Sequence, residues 1–355
     1  MTLFLALWLL ALPCHASELG AALGTEALER SLPERAAEAL GDLTAEDATL
    51  EGGLERLWKY LGGRFHAELA GVLRPVAAVT AVTLLTLTAR TLLPEKEGFD
   101  CVSFAGCTAV AVVALRDIGS EFALGLRTLT ELADISHALL PTLTAAATAA
   151  GAPTSAGAKY AASALFSDLL LTAANDIIMP LICAYTAASC VTAALGGGLD
   201  GPLRFTKWSA KTLMKALVLC FTGYLSLTGV LSSGADAAAV KAAKSALSTL
   251  LPVVGKTVAD ASDALVAGAG LLRNSIGVFG LLAALGVLAL PVLRLALRYL
   301  LYRAAAALLS MAAGGRIGKL IDAIGTAYGM VLGLVGAAAV ILFLSVFSLI
   351  RTVSG

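Results

Sequence analysis

Charged and aromatic residues are scarce in this sequence. Of its 355 residues, 14% are charged, 6% are aromatic and 58% are hydrophobic. Soluble globular domains are about 25% charged and about 45–50% apolar. The chain is therefore too apolar and too poor in charge to be an ordinary soluble protein.

Proline and cysteine are also sparse, with 10 and 6 residues respectively. The low proline content and the absence of a glycine triplet period exclude a disordered or collagen-like chain. Six cysteines are too few for a disulfide scaffold of this length. Apolar residues run continuously for about 20 positions rather than alternating, which disfavours a β-barrel. The composition predicts an all-α, polytopic helical membrane protein.

Motifs for catalysis are missing. The three histidines, His15, His66 and His137, are scattered along the chain and form no metal-ligand spacing. The sequence contains no HExxH, Walker A, GxSxG or CxxC motif. We therefore expect no enzymatic activity, no cofactor and no metal. Since no basic stripe alternates with aromatic residues, we expect no nucleic-acid partner either.

The N-terminus resembles a secretion leader. An apolar run over 3–13 is too short to span a bilayer core of about 30 Å. Ala16, with the small residue Cys14 two positions before it, fits the cleavage rule for a signal peptide. We expect residues 1–16 to be this peptide, with an uncleaved apolar anchor as the alternative. Either reading puts residues 17–68 on the outer side of the membrane.

The segment 17–68 is predicted to be helical, and it carries more acidic than basic residues. One helix face collects apolar side chains at positions i, i+3, i+4, i+7 and i+11, namely Leu54, Leu57, Trp58, Leu61 and Phe65. This face either packs against the membrane domain or lipid headgroups, or docks a partner on the outer side.

Uncharged stretches predict six membrane spans within a membrane domain at 69–355. The longest stretch, 323–350, would extend about 42 Å as a helix, enough to cross a bilayer with tilt. The predicted spans lie near 71–93, 101–123, 177–197, 212–232, 274–293 and 324–350.

The distribution of basic residues predicts the orientation of these spans. With an outer N-terminus, the loops 198–215 and 294–323 are cytoplasmic, and both are rich in Lys and Arg, as the positive-inside rule requires. The outer stretch 236–273 also carries four basic residues, which counts against this orientation. In this reading Arg294, Arg298 and Arg303 mark the cytoplasmic surface.

Two further apolar segments, 138–158 and 247–271, contain prolines and are predicted to be broken or re-entrant. Pro141 interrupts the first and Pro252 the second, because proline removes a backbone donor. Broken helices of this kind tend to line cavities in membrane proteins. Polar residues near such breaks are therefore candidates for a pore or solute path.

The same prolines suggest an internal repeat. At an offset of 111 residues, Pro141 aligns with Pro252 and Pro180 with Pro291. A parallel repeat would then consist of the units 101–211 and 212–322. The remaining identity at this offset is near chance for such a composition, so the alternative is no repeat.

The candidate functional residues are ionisable, amide or helix-breaking groups near apolar segments. Charges inside a membrane usually face a cavity or a partner, although Lys256 and Asp260, spaced i, i+4, fit an intrahelical pair equally well. The candidates for a pore or a broken helix are Pro141, Asp168, Asp176, Pro180, Pro252, Gly255, Lys256, Asp260, Asn274 and Pro291.

Several short segments occur in an order typical of one family. They include Pro180-Leu181-Ile182, Pro252-Val253-Val254-Gly255, the run from Leu272 to Gly277 and Tyr302-Arg303-Ala304-Ala305-Ala306. Over about 75–355 the chain resembles the stage III sporulation protein AE family of endospore-forming bacteria. Similar proteins often have two small residues after the Pro-Val-Val-Gly segment, where this chain has Lys256 and Thr257.

The resemblance implies a role that composition does not show. Proteins of this family are integral components of a secretion-like channel between mother cell and forespore, in the mother-cell-derived membrane around the forespore. Their partners are ring-forming subunits, a forespore-side membrane protein and a separate cytoplasmic ATPase. The alternative is an autonomous permease, in which Asp168, Asp176 or Asp260 would couple solute to ions. Small residues at Gly329, Gly333 and Gly336 fit either packing within one subunit or a homo-oligomer.

Overall fold

The computed structural model describes residues 29–30, 32–45, 48–92, 100–250, 255–313 and 315–351, with side chains at all of these except 229–269, 271–272 and 310–313. In this part of the chain all regular structure is helical, which confirms the predicted fold class. The helices are α1 (Glu34–Leu40), α2 (Leu50–Leu92), α3 (Cys101–Ala149), α4 (Pro153–Ala173), α5 (Met179–Leu195), α6 (Asp200–Leu250), α7 (Gly255–Ala313) and α8 (Arg316–Ile350).

Within the described residues, six helical segments are long and apolar enough to cross a membrane, so the protein is a multi-pass membrane protein, as predicted. The segments are Leu50–Leu92, Cys101–Ala149, Pro153–Leu195, Asp200–Thr228, Arg273–Leu309 and Arg316–Ile350. The described connections between these segments are short, so the segments that they join run antiparallel. Helix α2 passes through residue 68 without a break. The predicted domain boundary at 68/69 and the predicted repeat units, 101–211 and 212–322, stay predictions.

Helices α7 and α8 occupy the centre of the bundle. Helix α7 packs against α2, α3 and α8, and α8 also packs against α3, α4 and α5. Their apolar residues extend around most of the helix surface, which is typical of a helix surrounded by other helices. The largest fully buried side chains include Tyr302 of α7 and Tyr328 of α8.

The predicted spans of α3 and α7 lie at different levels of the bundle. Gly280 of α7 packs on Leu139 of α3, and Arg298 of α7 contacts Asp117 of α3. The span 274–293 is therefore level with the second half of α3, whereas the span 101–123 is level with residues that follow 293. Because a bilayer core of about 30 Å corresponds to about 20 helical residues, it cannot be centred on both spans.

The predicted cytoplasmic loops are mostly helical. Residues 200–215 form the first turns of α6, and 294–313 form the last turns of α7. The prediction of loops at 198–215 and 294–323 is therefore wrong. The basic residues of these stretches belong to helices that are much longer than a bilayer core requires. The short connection 196–199 begins at Gly196, which caps α5 with a left-handed backbone of φ 88°.

Pro141 does not break its helix, which corrects the first predicted re-entrant segment. Helix α3 continues through Pro141 to Ala149, and the chain turns only at 150–152. The neighbouring Leu139, Leu140 and Leu143 are fully buried, so packing holds the helix together where one backbone hydrogen bond is lost. Pro291 likewise lies inside α7.

Pro180 does disturb its helix. A π-helical turn over Ala174–Ile178 separates α4 from α5, immediately before the first turn of α5 that contains Pro180. The proline ring cannot donate a hydrogen bond to the carbonyl four residues earlier and would clash with it. The wider π turn relieves this conflict, as such bulges do within longer helices.

Candidate functional site: a buried ion cluster

Charged side chains from three helices meet inside the bundle. Asp117 and Glu121 are one turn apart on α3, and Arg294 and Arg298 are one turn apart on α7. Both pairs have the i, i+4 spacing that puts side chains on one helix face. Glu68 of α2 completes the group, which we call the ion cluster.

Arg298 is the centre of the ion cluster. Its Nε donates to Asp117 Oδ2 and its Nη2 donates to Asp117 Oδ1, both at 3.0 Å. The same Nη2 lies 3.0 Å from Glu121 Oε1. The exposed fractions of these side chains are 7% for Arg298, 15% for Asp117 and 5% for Glu121. A planar guanidinium with two carboxylates is the geometry that arginine, rather than lysine, provides.

Two tyrosines extend the ion cluster to α8. The hydroxyl of Tyr328 donates to Asp117 Oδ2 at 2.7 Å. The ring of Tyr302 stacks on that of Tyr328 with 5.3 Å between ring centroids. Asp117 therefore accepts hydrogen bonds from both α7 and α8, and these contacts fix the relative positions of three helices.

Arg294 makes the connection to α2. Its Nε and Nη2 each donate to one carboxylate oxygen of Glu68 at 2.6 Å. This pair is less buried than the Arg298 pair, with Arg294 35% exposed and Glu68 13% exposed. The ion cluster thus contains three carboxylates and two guanidinium groups.

Three buried polar atoms of this region have no hydrogen-bond partner within the described residues, namely Glu121 Oε2, Arg298 Nη1 and Tyr302 Oη. Buried charges are costly unless they are paired, so a cluster with unused donors and acceptors is unusual in a purely structural core. In the described part of the chain, no group of His, Cys, Asp or Glu side chains could hold a metal ion. The chemistry available to the ion cluster is charge pairing and proton exchange.

The prediction that Arg294 and Arg298 lie at the cytoplasmic surface is wrong for Arg298. It is buried because Asp117 and Glu121 neutralise it inside the bundle. Arg303 is exposed, as expected, and pairs with Asp322 at 2.7 Å. The sequence pattern that was missed is a pair of matching spacings. The acidic pair on α3 and the basic pair on α7 are both spaced i, i+4, and each pair lies beside an uncharged stretch.

The predicted site residues whose side chains the structure describes do not line one common cavity. Asp168 is exposed and its Oδ1 lies 2.9 Å from Nε2 of His137, while Asp176 is exposed further along the same chain segment. Pro141, Pro180 and Asn274 are also exposed, whereas Pro291 is buried. A pore-lining role for these residues stays a prediction.

The second predicted re-entrant segment is described only in part. Pro252 lies outside the described residues. Gly255, Lys256 and Asp260 belong to the first turns of α7, but their side chains are not among the described ones. The predicted pairing of Lys256 with Asp260 therefore stays a prediction.

The fold and the ion cluster define a class, a multi-pass helical membrane protein with paired charges inside its bundle. The model of the family described as stage III sporulation protein AE matches residues 42–352, and the chain belongs to this family. The resemblance stated from the sequence is therefore confirmed, and the match extends further toward the N-terminus than 75–355.

A curated relative is stage III sporulation protein AE of Bacillus subtilis (strain 168). It is 26% identical to this chain over 125 residues, which is 35% of this chain and 31% of the relative. The matched part is thus about a third of the relative's length. No solved structure matches the chain.

Proposed function

We propose that this protein is a non-enzymatic membrane component of the channel that joins the mother cell and the forespore, and that it is needed for forespore development after engulfment. Membership of the stage III sporulation protein AE family assigns it a role in stage III of sporulation. The observation that carries the proposal is this family match over 42–352 on a bundle with six long apolar helices.

The proposal includes a location and an orientation. The protein would lie in the mother-cell-derived membrane around the forespore, with the N-terminal segment in the intermembrane space. The basic residues at the start of α6, the end of α7 and the start of α8 support this orientation, since they all lie at one end of the bundle.

The proposal also includes partners. The sequence lacks a nucleotide-binding motif, so energy for transport would come from a separate cytoplasmic ATPase. Ring-forming subunits would continue the channel across the intermembrane space. These partners follow from what the family resemblance implies, whereas a homo-oligomer rests on the small residues Gly329, Gly333 and Gly336.

A second candidate function is an autonomous transporter for a small solute. The ion cluster favours it, because buried carboxylates in excess over guanidinium groups are a common device for coupling transport to protons. Two of the three aspartates first considered for this role, Asp168 and Asp176, are exposed. A transporter would move its solute in liposomes without partners, whereas a channel component would not.

The test is a clean deletion of the gene in the native host, followed by microscopy with a reporter for late forespore transcription. We expect normal vegetative growth and arrest after engulfment, with collapsing forespores. Complementation with the wild-type gene restores spores, whereas Arg298→Met does not. Arg127→Met removes an exposed arginine of α3 outside the ion cluster, so it serves as the matched control and is expected to restore them.

Immunoblots of membrane fractions show whether each variant accumulates, which separates loss of function from loss of protein. Normal sporulation of the deletion strain would overturn the channel proposal. A growth defect tied to one nutrient, with spores formed normally, would favour the transporter instead.

A further inference from the structure

A large open cavity lies at the end of the bundle where α5 and α7 end and α6 and α8 begin. Its volume is about 1100 Å³. We call it the basic cavity, because five of the seven charged side chains that line it are basic. The basic residues are Arg204, Lys207, Arg303, Arg316 and Lys319, and the acidic ones are Asp200 and Asp322.

The positive charge of the basic cavity is mostly unneutralised. Arg303 pairs with Asp322 at 2.7 Å. Among the described residues, the other four basic side chains form no ion pair, and Asp200 is the remaining acid in the lining. Like charges gathered around one space repel each other, so this arrangement favours an anion between them.

The backbone brings Arg316 close to the neighbouring helix end. Gly196 has φ 88°, and a Cβ built on it would lie 2.7 Å from the guanidinium carbon of Arg316. Glycine is favoured at this left-handed conformation, and a larger residue there would displace the Arg316 guanidinium. Arg316 is also the first residue of α8, so the positive end of the helix dipole faces the same region.

We propose that the basic cavity binds a phosphate group, carried either by an anionic phospholipid or by a free phosphate compound. Arginine side chains match the geometry of phosphate oxygens with two parallel donors. A volume of about 1100 Å³ can hold a whole headgroup or a small molecule. Basic pockets between transmembrane helices are known to bind lipid headgroups on the cytoplasmic side. This inference does not depend on the role in sporulation.

The test uses the full chain, purified in a neutral detergent. Thermal unfolding is followed with added phosphatidylglycerol, with phosphatidylcholine, and with inorganic phosphate against chloride at equal ionic strength. The cavity variant combines Lys207→Ala and Lys319→Ala. The control variant combines Lys59→Ala and Lys215→Ala, which removes the same charge from outside the cavity.

We expect phosphatidylglycerol to raise the unfolding temperature of the wild type and of the control, and phosphatidylcholine to have no such effect. The cavity variant should bind phosphatidylglycerol roughly 25-fold more weakly, at about fivefold for each basic side chain removed. If inorganic phosphate alone reproduces the stabilisation and the same variant abolishes it, the source is a free phosphate compound.

Equal responses of the cavity and control variants to both ligands would overturn the proposal. Circular dichroism and size-exclusion chromatography show whether the cavity variant is folded. The single substitution Lys319→Gln changes an exposed side chain and gives a second measurement of the same effect. It should weaken phosphatidylglycerol binding about fivefold.

Discussion

The guanidinium of Arg298 and the carboxylate of Asp117 form a two-point hydrogen bond, with both donor–acceptor distances 3.0 Å. The two residues are 181 positions apart in the sequence, and they join α7 to α3. Both side chains are largely withdrawn from solvent. Because both ions have lost most of their contact with water in the folded protein, each depends on the charge of the other to offset the lost solvation.

Arg298→Met is expected to lower the free energy of unfolding by about 3–5 kcal/mol, because it leaves two carboxylates buried without their cation. Combining it with Asp117→Asn and Glu121→Gln, which removes both charges and keeps an acceptor for the Tyr328 hydroxyl, should recover much of this loss. Denaturation in mixed micelles measures both effects. The control is Arg303→Met, whose exposed pair with Asp322 should contribute less than about 1 kcal/mol. Equal losses for Arg298→Met and Arg303→Met would contradict the central position of Arg298.

Tyr328→Phe removes the hydroxyl that donates to Asp117 at 2.7 Å. Hydrogen bonds to charged groups contribute about 1.5–3 kcal/mol, so a loss of that size is expected in the same denaturation experiment. Tyr302→Phe is the matched control, since the hydroxyl of Tyr302 is buried and has no hydrogen-bond partner among the described residues. Its removal should cost nothing. A larger loss for Tyr302→Phe than for Tyr328→Phe would be inconsistent with the hydrogen bonding of the ion cluster.

Gly280→Ala introduces a methyl group where α7 touches Leu139 of α3. Overpacking of this kind costs about 1–3 kcal/mol, and we expect a lower unfolding temperature. Gly223 of α6 is the control, because no atom of the described structure lies near the position of its added Cβ. Gly223→Ala should be stabilising by about 0.5–1 kcal/mol through helix propensity. Shifts of the same sign for both variants would contradict the close approach of α3 and α7.

The carboxylate of Asp100 caps α3 by accepting a hydrogen bond from the backbone N–H of Ser103 at 2.8 Å. Hydrogen bonds from Ser103 hold the pKa of Asp100 below its ordinary value of 3.8. Since the pKa is lower in the folded state, the stabilisation is present above pH 3.8 and is lost as the pH falls through the folded pKa.

Asp100→Ala should therefore cost about 1 kcal/mol near neutral pH and less in strong acid, where the neutral carboxyl of the wild type accepts a weaker hydrogen bond. Unfolding measured over a pH series tests this difference. Asp100→Asn keeps the cap without the charge, so its stability relative to Asp100→Ala should not depend on pH in this range. A constant difference between wild type and Asp100→Ala down to strong acid would refute the assignment of the cap to the ionised carboxylate.

Much of the fold could be predicted because hydropathy and helix signals are local. The six uncharged stretches each lie in one of the long helices, and Gly196 ends α5 where the predicted span ends near 197. The family was also recognisable from short segments such as Tyr302 to Ala306. These features depend on residue types and spacing within one segment, so no tertiary contact was needed to find them.

The candidate site was missed because its pairs are distant in sequence. Arg298 follows a span and looks like an interfacial residue until Asp117 and Glu121 are known to face it. Asp168 and Asp176, predicted for a pore because they flank an apolar run, are exposed in the bundle, and their pore role stays a prediction. Position along a segment does not reveal which neighbour a helix face meets.

The sequence by itself determined that this protein is a helical membrane protein of a sporulation family, since apolar length and family segments are carried by the chain alone. The tertiary structure decided how the helices are set against one another. Packing let Pro141 remain inside α3, whereas Pro180 follows a π turn. Helix packing also placed the predicted spans of α3 and α7 at different levels of the bundle. It buried Arg298 between the carboxylates of Asp117 and Glu121. These outcomes depend on which side chains compensate each other's charge or fill each other's space between helices. The free energy of such contacts belongs to pairs of helices, so it cannot be read from one segment alone.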